Sequence, residues 1–149
     1  AFRLDSTVIV EEYIKGREVT CGVLENFRDE ENYTLPAIEI VPPAEKHFFD
    51  YECKYDGSTR EICPAPLDFQ LKKEIEDIAR SAHRALGCGG YSRADIIVSP
   101  RGIYLLEVNT LPGLTSESLL PKSANAVGLD FPQLLEHIID LALNKSRNF

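Results

Sequence analysis

The chain has 149 residues, 44% of them hydrophobic and 27% charged, and a formal net charge of −8. That length suits a single domain burying about two-thirds of its unfolded surface. No Lys/Arg stripe is present to neutralise phosphates, which argues against a nucleic-acid partner, and no apolar run approaches the roughly 18–20 residues of a membrane span.

The N-terminal AFRLDSTVIV has no basic region ahead of an apolar block, so no signal peptide is read there. Cys21, Cys53, Cys63 and Cys88 are scattered without a C-x-x-C pair. This favours reduced thiols in a cytoplasmic protein over a zinc site or a disulfide framework. The chain lacks methionine and opens on Ala1-Phe2. It reads either as a fragment of a longer protein or as a chain that has lost its initiator Met.

In chain order, residues 7–12 (TVIVEE) are expected to form a first strand and Val19–Leu24 a second, with Gly16 marking the link. A third apolar stretch, Leu35–Val41, ends at Pro42-Pro43, which cannot continue a ladder. The aromatic segment HFFDYECKYDGSTREICPAP follows and reads as a long ordered loop. Loops of this length inside compact domains are usually functional.

From Asp68 the period changes to that of a helix. Leu71, Ile75, Ile78, Ala79, Ala82 and Leu86 define one face, with Asp68 as N-cap and Gly87 as the stop. Strands at about 91–99 and 103–109 are joined by Pro100-Arg101-Gly102. A short helix over 116–127 and a closing helix marked by Phe131, Leu134, Leu135, Ile138, Ile139 and Ala142 complete the chain. The order predicts an α+β domain over residues 1–149, with a mainly antiparallel sheet and flanking helices.

The hairpin carries the chemistry. With Pro100-Arg101-Gly102 as a three-residue loop and Gly102 left-handed, Ser99 pairs with Ile103, Asp95 with Glu107, and Arg93 with Asn109. Side chains alternate along a strand. Arg93, Asp95, Glu107 and Asn109 therefore share one face, and Ala94, Ile96, Tyr104, Leu106 and Val108 the other. Like charges directly opposite destabilise an antiparallel pair, and Arg93 offsets only part of the repulsion. Two carboxylates and an amide suit a hard cation such as Mg²⁺, which leaves positions for substrate phosphates. If two ions bind, Glu107 is the natural bridge between Asp95 and Asn109. A solvated polar face with an Arg93–Asp95 ion pair is the competing reading.

The loop Asn109–Ser116 leaves the strand beside this face. Gly113, with no side chain, can bring its N–H close to a ligand, and a backbone donor beside a cation suits an oxyanion. Ser116 and Ser118 open the short helix, where their hydroxyls could hold a carboxylate; ordinary helix capping is the alternative. His47, His83 and His137 sit in unrelated contexts and receive no catalytic role.

The stretches VEEYIKGREVT, FFDYECKY, GYSRADIIV and YLLEVNTLPGLTSESLLP together resemble the C-terminal part of the D-alanine–D-alanine ligases, a family of the ATP-grasp superfamily. The resemblance runs from about Thr7 to the last helix, and E-x-N-T-x-P-G-x-T-x-x-S is its most specific element. It implies the C-terminal half of an ATP-grasp fold, with Asp95, Glu107 and Asn109 holding two Mg²⁺ or Mn²⁺ ions on the phosphates of ATP. Glu11 and the Glu12–Ile14 backbone would edge the adenine, Tyr13 would wall its pocket, and Glu18 would bind the ribose. Lys54 would contact phosphates. Arg93 and the Gly113 N–H would stabilise the oxyanion, while Ser118 and the Leu119 backbone would hold the carboxylate of the second D-alanine. Tyr55, after Lys54, leans towards dipeptide rather than ester synthesis.

The family's N-terminal and central domains, with a Gly/Ser-rich phosphate loop, have no counterpart in this sequence. It is therefore expected to be one lobe, inactive alone, of an enzyme for peptidoglycan precursor synthesis, with a homodimer possible when intact. Another ATP-grasp carboxylate–amine ligase and a non-catalytic Mg-ATP-binding module are the alternatives.

Overall fold

The computed structural model describes residues 2–42 and 59–146. Six strands form one antiparallel sheet: β1 (Arg17–Phe27), β2 (Glu30–Thr34), β3 (Ile38–Val41), β4 (Arg60–Ile62), β5 (Tyr91–Ser99) and β6 (Gly102–Asn109). Three helices flank it: α1 (Phe69–Ala85), α2 (Leu119–Asn125) and α3 (Phe131–Ser146). The strands run β4-β3-β1-β5-β6, with β2 paired to the far end of β1. This is the α+β architecture expected from the element order.

Strand β1 is the centre of the sheet, and its residues Val19–Leu24 are all buried. Burial on both faces gives a continuous apolar run rather than strict alternation. Val19, Cys21 and Val23 pack with Ala94 and Ile96 of β5 beneath Ile75 and Ala79 of α1. On the opposite face, Leu24 joins Leu35, Leu120, Ala124, Leu129 and Leu134 under α2 and α3. Gly22 lies on that same face, and a Cβ there would sit 2.6 Å from Cδ1 of Leu120. The missing side chain lets α2 close on the sheet. These helices cover only one end of the face; at the other end Glu18 lines the site cavity, while Thr20 is buried.

Helix α1 starts as expected, the Asp68 carboxylate accepting from the Leu71 N–H at 2.9 Å. Gly87 follows its end with φ of 61°, a conformation glycine adopts without a Cβ penalty. Leu86 is exposed, not part of the buried face. His83 is buried in its place, its Nδ1 2.7 Å from Ser92 Oγ.

Two expectations are corrected here. Residues 7–12 form no strand: β1 begins at Arg17, and Ile9 and Val10 are exposed. Their β-branched composition suits a pleated, half-buried surface, but the segment is a strap without a ladder partner among the described residues. Strand β2 was not foreseen. Its turn uses Arg28 and Asp29, both at positive φ (51° and 62°), in place of glycine. The Phe27↔Glu30 pairing makes it a two-residue hairpin.

Candidate active site

The β5–β6 hairpin closes more tightly than its loop sequence suggests. Ser99 pairs with Gly102, not Ile103, so the turn is the two residues Pro100-Arg101, and Gly102 follows it at a positive φ of 140°, a conformation that favours glycine. Moving along the strands, Ile96 pairs with Leu105, but the next pair is Asp95 with Glu107. The extra residue, Leu106, is accommodated in a β-bulge. The bulge restores the expected pairings Asp95↔Glu107 and Arg93↔Asn109. It also reverses the facing of residues nearer the turn. Ile103 packs against the core, and Tyr104 lines the site cavity, contrary to the expected apolar-face position. Leu105 and Leu106 at the bulge line the cavity as well.

The four polar residues form one connected group. Arg93 Nε and Nη2 donate to the two Asp95 oxygens at 2.9 and 2.8 Å. Asn109 Nδ2 donates to Asp95 Oδ2 at 2.8 Å and to Glu107 Oε1 at 3.1 Å. Thr20, in the middle of β1, donates its hydroxyl to Asp95 Oδ1 at 2.7 Å. Burial alone would raise the Asp95 carboxyl; the Arg93 guanidinium and the Thr20 hydroxyl outweigh it and hold the group below the usual carboxylate range.

The donor set fits a hard cation. The Asn109 NH₂ lies between the two carboxylates, the place where positive charge is most stabilising. A half-turn of the amide exchanges its nitrogen for its oxygen, leaving two carboxylates and an amide oxygen converging on one point. Oxygen ligands of this kind suit Mg²⁺ or Mn²⁺.

A cavity of about 580 Å³ opens above this group. It brings together Glu11, Glu12, Ile14, Glu18, Arg93, Asp95, Glu107, Asn109 and Leu119. Tyr13 is not among its walls; it lines neighbouring hollows beside Gly16 and Arg17. One of those hollows shares Ile14, Glu18 and Ile40 with this cavity. The Glu12 carboxylate turns away to Arg101 Nη2 at 2.8 Å, which leaves the strap backbone to face the cavity.

A second cavity of about 430 Å³ adjoins the first, sharing Arg93, Asn109 and Leu119, and is lined by Gly113, Thr115 and Ser118. Ser118 stands at the N-cap of α2 without a side-chain capping bond. The capping alternative is thus not realised for its hydroxyl. Ser118 Oγ turns back over Gly113, where a Cβ would lie 2.9 Å from it. Lys54 and Tyr55, with most of the aromatic loop, lie outside the described residues.

Sequence reasoning missed Thr20, Arg101 and Thr115. Thr20 lies 75 positions from Asp95, and only the β1–β5 register brings them opposite one another. Thr115 was visible as part of the hydroxyl-rich loop, but its partner was not.

Solved structures of the same shape are ATP-grasp ligases, and they define the class. The D-alanine–D-alanine ligase of Bacillus anthracis matches 99% of this chain and 46% of its own, with a TM-score of 0.80 and 40% identity. Its ATP complex matches at a TM-score of 0.74 and 36% identity, over 93% of this chain and 42% of that one. The VanG D-Ala:D-Ser ligase of Enterococcus faecalis matches at 0.72 and 39% identity, over 87% and 37%. Among curated relatives, the D-alanine–D-alanine ligase of Desulfotalea psychrophila is 49% identical over 142 residues, 94% of this chain and 43% of that protein. The chain belongs to the family described as D-ala D-ala ligase C-terminus, whose profile matches residues 1–140. It spans less than half the length of the curated relatives it matches.

Proposed function

We propose that this chain is the C-terminal lobe of an ATP-dependent ligase that joins two D-alanines for peptidoglycan precursor synthesis in the cytoplasm. The observation that carries the reading is the convergence of Asp95, Glu107, Asn109 and Arg93 on one open sheet face. That face lies beside a strap matching the nucleotide-edging residues of the family. ATP lies in the larger cavity, with Glu11 and the Glu12–Ile14 backbone along the adenine, Tyr13 as a wall of its pocket, and Glu18 on the ribose. Asp95, Glu107 and Asn109 hold two Mg²⁺ or Mn²⁺ ions. When bound, such ions neutralise phosphate charge and align the reacting oxygens.

In the first step a D-alanine carboxylate oxygen attacks the γ-phosphorus of ATP, and the bond to the β-phosphate oxygen breaks. D-alanyl phosphate and ADP result. In the second, the amine of another D-alanine attacks the acyl carbon and loses a proton, and inorganic phosphate departs. Arg93 bridges the two cavities, so its guanidinium reaches both the transferred phosphate and the developing oxyanion, with the Gly113 N–H as second donor. Ser118 and the Leu119 backbone hold the acceptor carboxylate. Lys54 contacts the phosphates, and Tyr55 favours dipeptide over ester synthesis. The remaining groups come from N-terminal and central domains of the same polypeptide.

The test is ATP- and D-alanine-dependent phosphate release by this chain and by the full gene product. Turnover by the full product and silence from the isolated chain are expected. Turnover by the isolated chain overturns the lobe reading, and silence from the full product overturns the function. A second reading, that the acceptor is not D-alanine, is favoured by the likeness to a D-Ala:D-Ser ligase. Competition between D-alanine, D-serine and D-lactate as acceptors decides it.

A further inference from the structure

The Ser118 hydroxyl is surrounded in a way that its proposed role alone does not require. Thr115 N–H points at Ser118 Oγ at 3.1 Å, and Thr115 Oγ1 lies 2.9 Å from the same oxygen. The Ser118 N–H in turn donates to the Thr115 carbonyl at 2.9 Å. Three bonds thus join two residues at the mouth of the smaller cavity, and Ser118 gives up side-chain capping of α2 to make them. Gly113 completes the seat, since any side chain there would occupy the space of the Ser118 oxygen.

A serine hydroxyl has one proton to donate and two lone pairs to accept with. Thr115 N–H, which can only donate, takes one lone pair. Two arrangements remain for the second bond. If Ser118 donates to Thr115 Oγ1, its proton is spent inside the loop. If Thr115 Oγ1–H donates to Ser118, both lone pairs are filled and the Ser118 proton must leave the pair. A carboxylate in the cavity accepts hydrogen bonds but has none to give, so it selects the second arrangement. Donation from Thr115 also polarises the Ser118 O–H and strengthens the bond it makes.

We propose that Thr115 is a positioning residue that fills both acceptor sites of the Ser118 hydroxyl and so converts it into a dedicated donor for the carboxylate of the acceptor substrate. The inference rests on the assignment of Ser118 to that carboxylate. It also predicts which acceptors are admitted: one bearing an anionic carboxylate is favoured over its carboxamide, whose NH₂ competes as a donor at a site with no acceptor left.

The experiment uses the full gene product, with initial rates over a range of D-alanine fitted to separate KM values for the first and second molecules. Thr115→Val keeps the shape, removes the side-chain donor and is made at an exposed position. It is expected to raise the second KM about tenfold, the order for weakening one hydrogen bond to a charged group, with KM for ATP and for the first D-alanine unchanged. Thr115→Ser restores the second KM to within about twofold, which a purely structural role for the threonine methyl would not allow. In a Ser118→Ala background, Thr115→Val adds nothing further. Three results overturn the proposal: an unchanged second KM in Thr115→Val, an equal loss in Thr115→Ser, or additive effects in the double variant. If Ser118→Ala itself leaves the second KM unchanged, the carboxylate assignment falls and this proposal with it. If Ser118→Ala raises that KM and Thr115→Val does not, only the role of Thr115 falls.

Discussion

At the scale of single residues, the centre of the site is a carboxylate with more partners than an ordinary surface ion pair. Asp95 receives Arg93 on both oxygens, Thr20 on one and Asn109 on the other. Held in this way its ionised oxygen pair is fixed for the proposed cation, and groups behind a ligand commonly tune its metal by 10–100-fold. Thr20→Val removes one of these supports without changing side-chain shape. It is expected to cost about 1 kcal/mol of stability and to raise the Mg²⁺ needed for half-maximal activity about tenfold. Urea unfolding and a Mg²⁺ titration of phosphate release measure the two effects. Cys21, beside Thr20 but facing the core, has its thiol pushed up to about 12 by burial, so it is chemically quiet in the native protein.

At the scale of elements, the strap before β1 owes its position to Gly16. A Cβ at that residue would fall 2.4 Å from the Val98 carbonyl oxygen and 2.6 Å from Ile97 Cγ2. The carbonyl belongs to a paired strand and cannot yield as a side chain does. Gly16→Ala is therefore expected to push the strap off β5 at a cost of about 1–3 kcal/mol. It should raise the KM for ATP while leaving that for the second D-alanine unchanged; steady-state kinetics of the full gene product separates the two. The hairpin shows why partial legibility can still give the right site. Its loop is one residue shorter than expected, and the bulge at Leu106 adds that residue back. The pairing of Asp95 with Glu107 was correctly anticipated although the route to it was not. Bulges leave little trace in composition, so the facing of Tyr104 was unreadable. The strap was misread for the opposite reason: its residues favour extended structure, but no strand among the described residues gives them a ladder.

At the scale of the molecule, each face of the sheet carries a half-buried ion pair. Arg17 clamps Glu39 from β1 to β3 with two bonds of 2.7 and 2.8 Å, and within β5 Arg93 grips Asp95 with two bonds of 2.9 and 2.8 Å. The hydrogen bonds from Arg17 hold the Glu39 carboxyl below its usual range, and Asp95 is held low despite its burial. Both groups have folded-state values below their unfolded ones. Their contribution is complete above about pH 5 and is lost as pH falls through the depressed values. Stability is thus expected to be flat from pH 5 to 7 and to fall below about pH 4. Arg17→Met and Arg93→Met should each flatten that acid limb, as urea midpoints across pH will show. What the sequence left unreadable at this scale is long-range. The α1, α2 and α3 periodicities were visible because they are local. The choice of sheet face for each helix depends on residues such as Gly22, whose role is apparent only once Leu120 is found above it.

Strand β1 has one more consequence. Thr20 steadies Asp95, and two residues further on Gly22 seats Leu120, the neighbour of Leu119. Both point to the same side of a single extended backbone, so the spacing between the proposed phosphate and acceptor stations is set by one two-residue repeat of ~6.7 Å. The strap and the loop after β6 carry several of the groups proposed to touch substrate, yet the ruler between the two half-reactions is a strand in the core. Repacking under α2 should therefore change how well the two substrates are aligned before it changes how tightly either one binds.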